Sequence, residues 1–158
     1  MKPAVATNKS DALKKIKRYC AYQERCHSEV KEKLFGYGLR SLVVDEIIAE
    51  LIGENYLNEE RFAKQFAGGK FRMKKWGRRK IVQVLKQKGA TEGIIKAGLK
   101  EIDDREYLEE LQKLSAKKWK SLQGVPSFLR KSKVHFYLTQ KGYEPTLIAA
   151  VLQKIAAS

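Results

Sequence analysis

Ile81-Val82-Gln83-Val84-Leu85-Lys86-Gln87-Lys88-Gly89, running on through Ala90-Thr91-Glu92-Gly93 to Ile94-Ile95-Lys96-Ala97-Gly98-Leu99, decides the fold. Ile81 and Leu85 stand one helical turn apart and face the same way. Gly89 can end their helix in a left-handed conformation that a side chain disfavours. Ile94-Ile95 and Leu99 then open a further helix that folds back on the one before it. The block thus reads as a helix, a glycine stop and a second helix.

The same block occurs three times. Val30-x3-Leu34-x3-Gly38 and Val134-x3-Leu138-x3-Gly142 repeat the Ile81, Leu85, Gly89 spacing. Val43-Val44 and Leu147-Ile148 follow their glycines at the distance of Ile94-Ile95, and Ile48 and Leu152 at the distance of Leu99. The glycines lie 51 and 53 residues apart. A fixed period of this size, matched without gaps, marks a repeat array whose units bury their apolar stripes against themselves and their neighbours.

Outward from the repeats, everything else reads as helix. No strand-like alternation of useful length and no Asn-Gly or Asp-Gly hairpin signal is present. Pro126 and Pro145 stand where helices start. The periodicity predicts helices over 10–22, 28–36, 42–54, 59–75, 78–88, 92–101, 104–122, 127–141 and 145–156. The expected architecture is all-α: three tandem three-helix modules, elongated and open to curvature. A tail covers 1–9, and the units cover 10–55, 56–102 and 103–158.

The 158 residues are 43% hydrophobic and 32% charged, enough apolar content for a core and too much for a disordered chain. The formal net charge is +15, which favours nucleic acid or an acidic protein surface as partner. No apolar run is long enough to span a bilayer, and Met1 to Ser10 lacks the apolar centre of a signal peptide. Two cysteines, Cys20 and Cys26, make no secreted disulfide framework. These features lead us to expect a cytoplasmic protein.

No catalytic motif emerges from the residues. Gly68-Gly69-Lys70 lacks the spacing and the following Ser or Thr of a phosphate loop, and a mid-helix kink is the simpler use. Cys20, Cys26, His27 and His135 have no zinc-ligand spacing. No nucleophile motif and no apolar-flanked carboxylate pair stands out. The expectation is a protein with no catalytic residues, metal or cofactor.

The functional signal is cationic. On a helix from Asn58, a cap-like residue, Phe62, Phe66 and Met73 share one stripe, with Ala63 and Ala67 beside it. Arg61, Lys64, Arg72 and Lys75 share the far side. Lys70, Lys74, Arg78, Arg79 and Lys80 crowd the end of this helix and the turn beyond, and Arg79, Gln83 and Lys86 share the outer face of the next helix. Trp76 sits amid this charge, either as a core residue at a helix corner or as a stacking platform. In the third unit an acidic opening gives way to Lys117, Lys118, Lys120, Arg130, Lys131 and Lys133, which support the same surface. The cluster serves a partner or is an idle solvated face.

Tyr56-Leu57-Asn58-Glu59-Glu60-Arg61-Phe62-Ala63, then Trp76-Gly77-Arg78-Arg79-Lys80-Ile81 and Leu85-x2-Lys88-Gly89, resembles the central signature of the RecX family of recombinase regulators. Ala12-Leu13 and Arg25-x2-Ser28-Glu29-x3-Lys33-Leu34 are similar to its N-terminal pattern, so the likeness covers roughly 10–155. Glu59 stands where the family usually has aspartate, Val30 where it has leucine, and Arg78-Arg79 follow Gly77 where many members carry proline. The resemblance implies three tandem three-helix units without catalytic residues. It also implies binding to the RecA recombinase filament on single-stranded DNA, which limits recombinase and coprotease activity. Partners would then be RecA and single-stranded DNA, with duplex DNA weaker, and the protein a monomer. The alternatives are a stand-alone basic nucleic-acid-binding module that affects recombination indirectly, and a helical adaptor for some other acidic protein.

Overall fold

The computed structural model describes residues 8–157. Residues 1–7, most of the expected tail and of the polar start, lie outside the described residues, as does residue 158. Within them the chain forms nine helices and no strand. These are α1 (Lys9–Tyr22), α2 (His27–Gly36), α3 (Ser41–Gly53), α4 (Glu59–Lys74), α5 (Arg78–Gln87), α6 (Glu92–Leu99), α7 (Asp104–Ser121), α8 (Ser127–Lys141) and α9 (Pro145–Ala157).

Local chemistry accounts for the ends. The side chains of Asn8, Asn58 and Asp103 each accept from the backbone N–H three residues on, satisfying a donor the first turn leaves orphaned. Pro126 caps α8, and Pro145 is the first residue of α9. The three repeat glycines, Gly38, Gly89 and Gly142, have φ of 83°, 89° and 99°, the left-handed stop that the repeat requires at each second helix.

Helices pack in consecutive triplets: α1–α3, α4–α6 and α7–α9. The triplets do not have three separate cores. Ala12, Ile16, Val30, Leu34, Ile47 and Leu51 centre the first, which closes on itself with Leu57. The second and third share one continuous core, running from Phe62 and Phe71 through Ile81 and Leu85 to Tyr107, Leu138 and Ile148. At its centre the rings of Phe71 and Tyr107 lie 5.7 Å apart, and those of Tyr107 and Tyr143 5.1 Å apart. In the middle triplet α4 and α6 approach closely because Gly98 has no side chain; a Cβ there would sit 2.8 Å from the Ala63 carbonyl oxygen.

Helix α4 departs from the single stripe expected of it. Met73 is 81% exposed, while Phe71, on another arc, is buried. The buried arc rotates because α4 serves neighbours on both sides of its own triplet. Its first turns face the first triplet, and Phe71 turns onto Tyr107 of the third. The helix also continues unbroken through Gly68 and Gly69. The missing side chain at Gly68 leaves room for the guanidinium of Arg72, which a Cβ would meet at 2.8 Å.

Tyr107 and Tyr143 give a pH prediction. Burial pushes both hydroxyls well above the ordinary phenol range, aided at Tyr107 by its hydrogen bond to Glu144 and at Tyr143 by the nearby Glu110 charge. The folded state therefore holds both neutral where the unfolded chain would ionise them. The stability this represents is complete below about pH 10 and falls above it by about 1.4 kcal/mol per pH unit for each tyrosine. Phenolate absorbance in the folded protein should fall two tyrosines short of the total and recover them only as helicity is lost. Full ionisation with intact helicity would contradict the burial.

Candidate functional site

The two junctions between triplets differ in kind. At the first, Arg61 reaches back to Glu24 and donates to the side chain and carbonyl of Asn55. His27 meets Glu59 at 3.0 Å, and Lys88 meets Glu29 at 3.1 Å. Side-chain donors carry the polar contacts of this junction, and buried Cys26 of the first triplet packs into the core of the second.

The second junction is backbone on backbone. The Gly77 N–H donates to the Lys141 carbonyl at 2.7 Å, and the Arg79 N–H to the Gly142 carbonyl at 2.9 Å. The start of α5 is thus seated in the α8–α9 turn, its first donors already used. Tyr143 donates its hydroxyl to the Lys75 carbonyl at 3.0 Å. Arg78 is the clamp. Its guanidinium lies 3.9 Å from the centre of the Tyr107 ring and pairs with Glu144 at 3.1 Å and with Asp104. Its N–H donates to the Tyr107 hydroxyl, which in turn donates to Glu144.

These junctions sort the cations that the sequence singles out. Arg61 and Arg78 are joint residues. Arg130 is held in the same manner: it donates twice to the Trp119 carbonyl and lies 3.9 Å from that ring. Lys64 pairs with Glu60 on its own helix, and Lys75 with Glu110. Lys118 lies over Tyr137. By contrast Arg72, Lys74, Arg79, Lys86, Lys117, Lys120, Lys131 and Lys133 are exposed and form no ion pair with the described residues. Exposed and unpaired cations are the ones most open to a partner, and Lys118, though over a ring, has no carboxylate among the described residues either.

The second junction also gives them a shape. Where α5 docks against the α8–α9 turn, a groove of about 780 Å³ opens between the triplets. Arg79, Lys80, Gln83 and Lys86 form its α5 wall, and Thr139 and Gln140 its α8 wall. Glu144 lies at the groove too, but its charge is met by Arg78. At the α4–α5 corner Trp76 is half-buried, edge-on to Phe66 at 6.2 Å, with Lys80 4.5 Å and Lys70 5.1 Å from its ring centre. Trp76 therefore packs against the core and carries two ammonium groups over its indole. Thr139 and Gln140 escape a reading by local pattern, because they reach the groove only through the contact of Gly77 with Gly142. No metal-binding cluster of His, Cys, Asp and Glu is found among the described residues, and none of their helices is long and apolar enough to cross a membrane.

Fold and groove together define a tandem three-helix scaffold that presents cations along a cleft between its units. Models for the second and third three-helix domains of RecX match residues 58–99 and 104–152. The chain belongs to the RecX family of regulatory proteins. Regulatory protein RecX of Chlorobium limicola is 30% identical over 133 residues, which are 83% of this chain and 82% of that protein. That of Lactobacillus johnsonii is 38% identical over 100 residues, 63% of this chain but only 37% of the relative's length. The crystal structure of RecX from Lactobacillus salivarius superposes with a TM-score of 0.84 over 95% of this chain and 97% of that one, at 22% identity. A further RecX crystal structure gives 0.82 over 90% and 70%, at 24% identity.

Proposed function

We propose that this chain binds the RecA filament on single-stranded DNA and limits its recombinase and coprotease activities by occupancy, without catalysis. The observation that carries the reading is the open groove between the second and third triplets, whose cations Arg79 and Lys86 have no carboxylate partner among the described residues. A groove of this kind follows a polyanion through charge, so it tracks backbone phosphate and leaves bases unread. Lys74 on α4 and Lys117, Lys120, Lys131 and Lys133 on the third triplet are further exposed cations, whereas Arg72 lines a separate α4–α7 cleft with Glu106, Glu109 and Glu110. Membership of the RecX family supports the recombinase as the partner that carries the DNA.

The test is a filament assay. Saturating protein should depress RecA-dependent ATP hydrolysis and strand exchange, and unchanged rates for both would end the proposal. Affinity for single-stranded DNA alone should fall with salt at a log–log slope of roughly −0.7 per phosphate contacted. Replacing Arg79 and Lys86 together by Glu should flatten that slope by roughly one to two contacts. If the double variant loses DNA binding yet inhibits RecA as before, the groove is not the route of inhibition.

A further inference from the structure

Helix α8 has two apolar faces where one would do. Val134 and Leu138 are fully buried in the shared core. On other sides of the same helix Phe128 is 79% exposed, Phe136 64% and Leu129 48%. Leu129 and Phe136 join Leu122 and Tyr137 around a groove of about 580 Å³ between the end of α7 and α8. Its polar lining consists of Lys118, Ser132, Lys133 and Gln140. Exposed phenylalanines gathered about a concave apolar floor mark an interaction surface.

The charge around this floor has one sign. No Asp or Glu occurs between Leu111 and Lys141. The carboxylates that bracket the stretch are committed elsewhere, Glu110 to Lys75 and Glu144 to Arg78 and Tyr107. An apolar trough with ammonium groups on its rim complements an amphipathic helix whose apolar stripe is flanked by carboxylates. A second copy of this chain fits poorly, since a self-complementary contact would set Lys118 and Lys133 against their own kind. Nucleic acid would use the rim and leave the aliphatic Leu122 and Leu129 unused.

We propose that the α7–α8 groove is a protein-docking surface. It takes an amphipathic acidic helix whose apolar side chains enter between Leu129 and Phe136 and whose carboxylates meet Lys118 and Lys133. The inference does not rest on the RecA reading: the groove shares only Gln140 with the Arg79–Lys86 groove, and its probe is a peptide.

The probe is a synthetic helical peptide about four turns long, with Leu and Phe at i, i+3, i+4 and i+7 and Glu on the flanking positions. Added to the isotope-labelled full chain, it should shift the amide signals of Leu129, Ser132, Lys133 and Phe136 and leave those of Arg79 and Lys86 in place. Phe136→Asp should weaken the peptide roughly 30-fold, as loss of a central anchor does, with unchanged helicity. In a second arm Lys118→Glu with Lys133→Glu should reject this peptide and accept its Lys-for-Glu counterpart. No shift at millimolar peptide, shifts confined to the Arg79 groove, or equal binding by both variants would overturn the assignment. So would an oligonucleotide, or a second copy of the chain, whose binding to the wild type is lost in Phe136→Asp.

Discussion

Gly77→Ala is expected to lower the unfolding free energy by roughly 3 kcal/mol or more, read as a fall in urea midpoint. A Cβ at Gly77 would lie 2.3 Å from the Gly142 carbonyl carbon and 2.4 Å from both the Gly142 oxygen and the Tyr143 nitrogen. These atoms are backbone, so no side chain can swing aside. The contact is reciprocal: a Cβ on Gly142 would meet the Lys80 Cβ at 2.4 Å, and Gly142 also has a φ of +99°. Relief requires α5 to lift from the α8–α9 turn, and the Gly77–Lys141 and Arg79–Gly142 hydrogen bonds would go with it. Gly69→Ala is the control. A Cβ there would have nothing within 4 Å, and in the middle of α4 the substitution should stabilise by about 1 kcal/mol. If the two variants have equal midpoints, the second and third triplets are not joined as described. Lifting α5 would also widen the cationic groove, so Gly77→Ala should weaken single-strand binding without removing a single charge.

How much of this is legible in the sequence depends on the range of the interaction. The nine helices fall where the periodicity puts them, within a residue or two at most ends, because their stops and starts are local: Asn58, Pro126, Pro145 and the three repeat glycines. Met73 escapes the pattern because a single stripe assumes one neighbour, whereas α4 packs within its own triplet and against both others. The same limit applies to the cations. Arg61 and Arg78 look like members of a charged face when read along a helix, yet their carboxylates, Glu24, Asp104 and Glu144, come from other triplets. Tyr56 to Ala63 and Trp76 to Ile81, the stretches that carry the family resemblance, lie at the two junctions. They therefore hold joint residues such as Arg61 and Arg78 side by side with groove residues such as Arg79 and Lys80.

That distinction makes neighbouring arginines behave oppositely. Arg78→Ala is expected to cost about 2 kcal/mol of stability. Its side chain is 24% exposed, and its removal leaves Glu144 with the Tyr107 hydroxyl alone and uncovers the Tyr107 ring. Because that side chain already has partners, losing it should take little directly from DNA affinity measured well below the melting temperature. Arg79→Ala should do the reverse. Its side chain is exposed at the groove wall and pairs with no described carboxylate, so stability should stay within about 0.5 kcal/mol of wild type. Single-strand affinity should drop several-fold at low salt, with the salt slope shallower by roughly one contact. Both variants keep the backbone N–H groups of residues 78 and 79, so the seating of α5 is common to the two. Urea midpoints and salt titrations of the pair separate scaffold from surface. If Arg78→Ala were the variant that loses DNA while keeping its midpoint, the clamp would have to open on binding and the groove would have been placed on the wrong arginine.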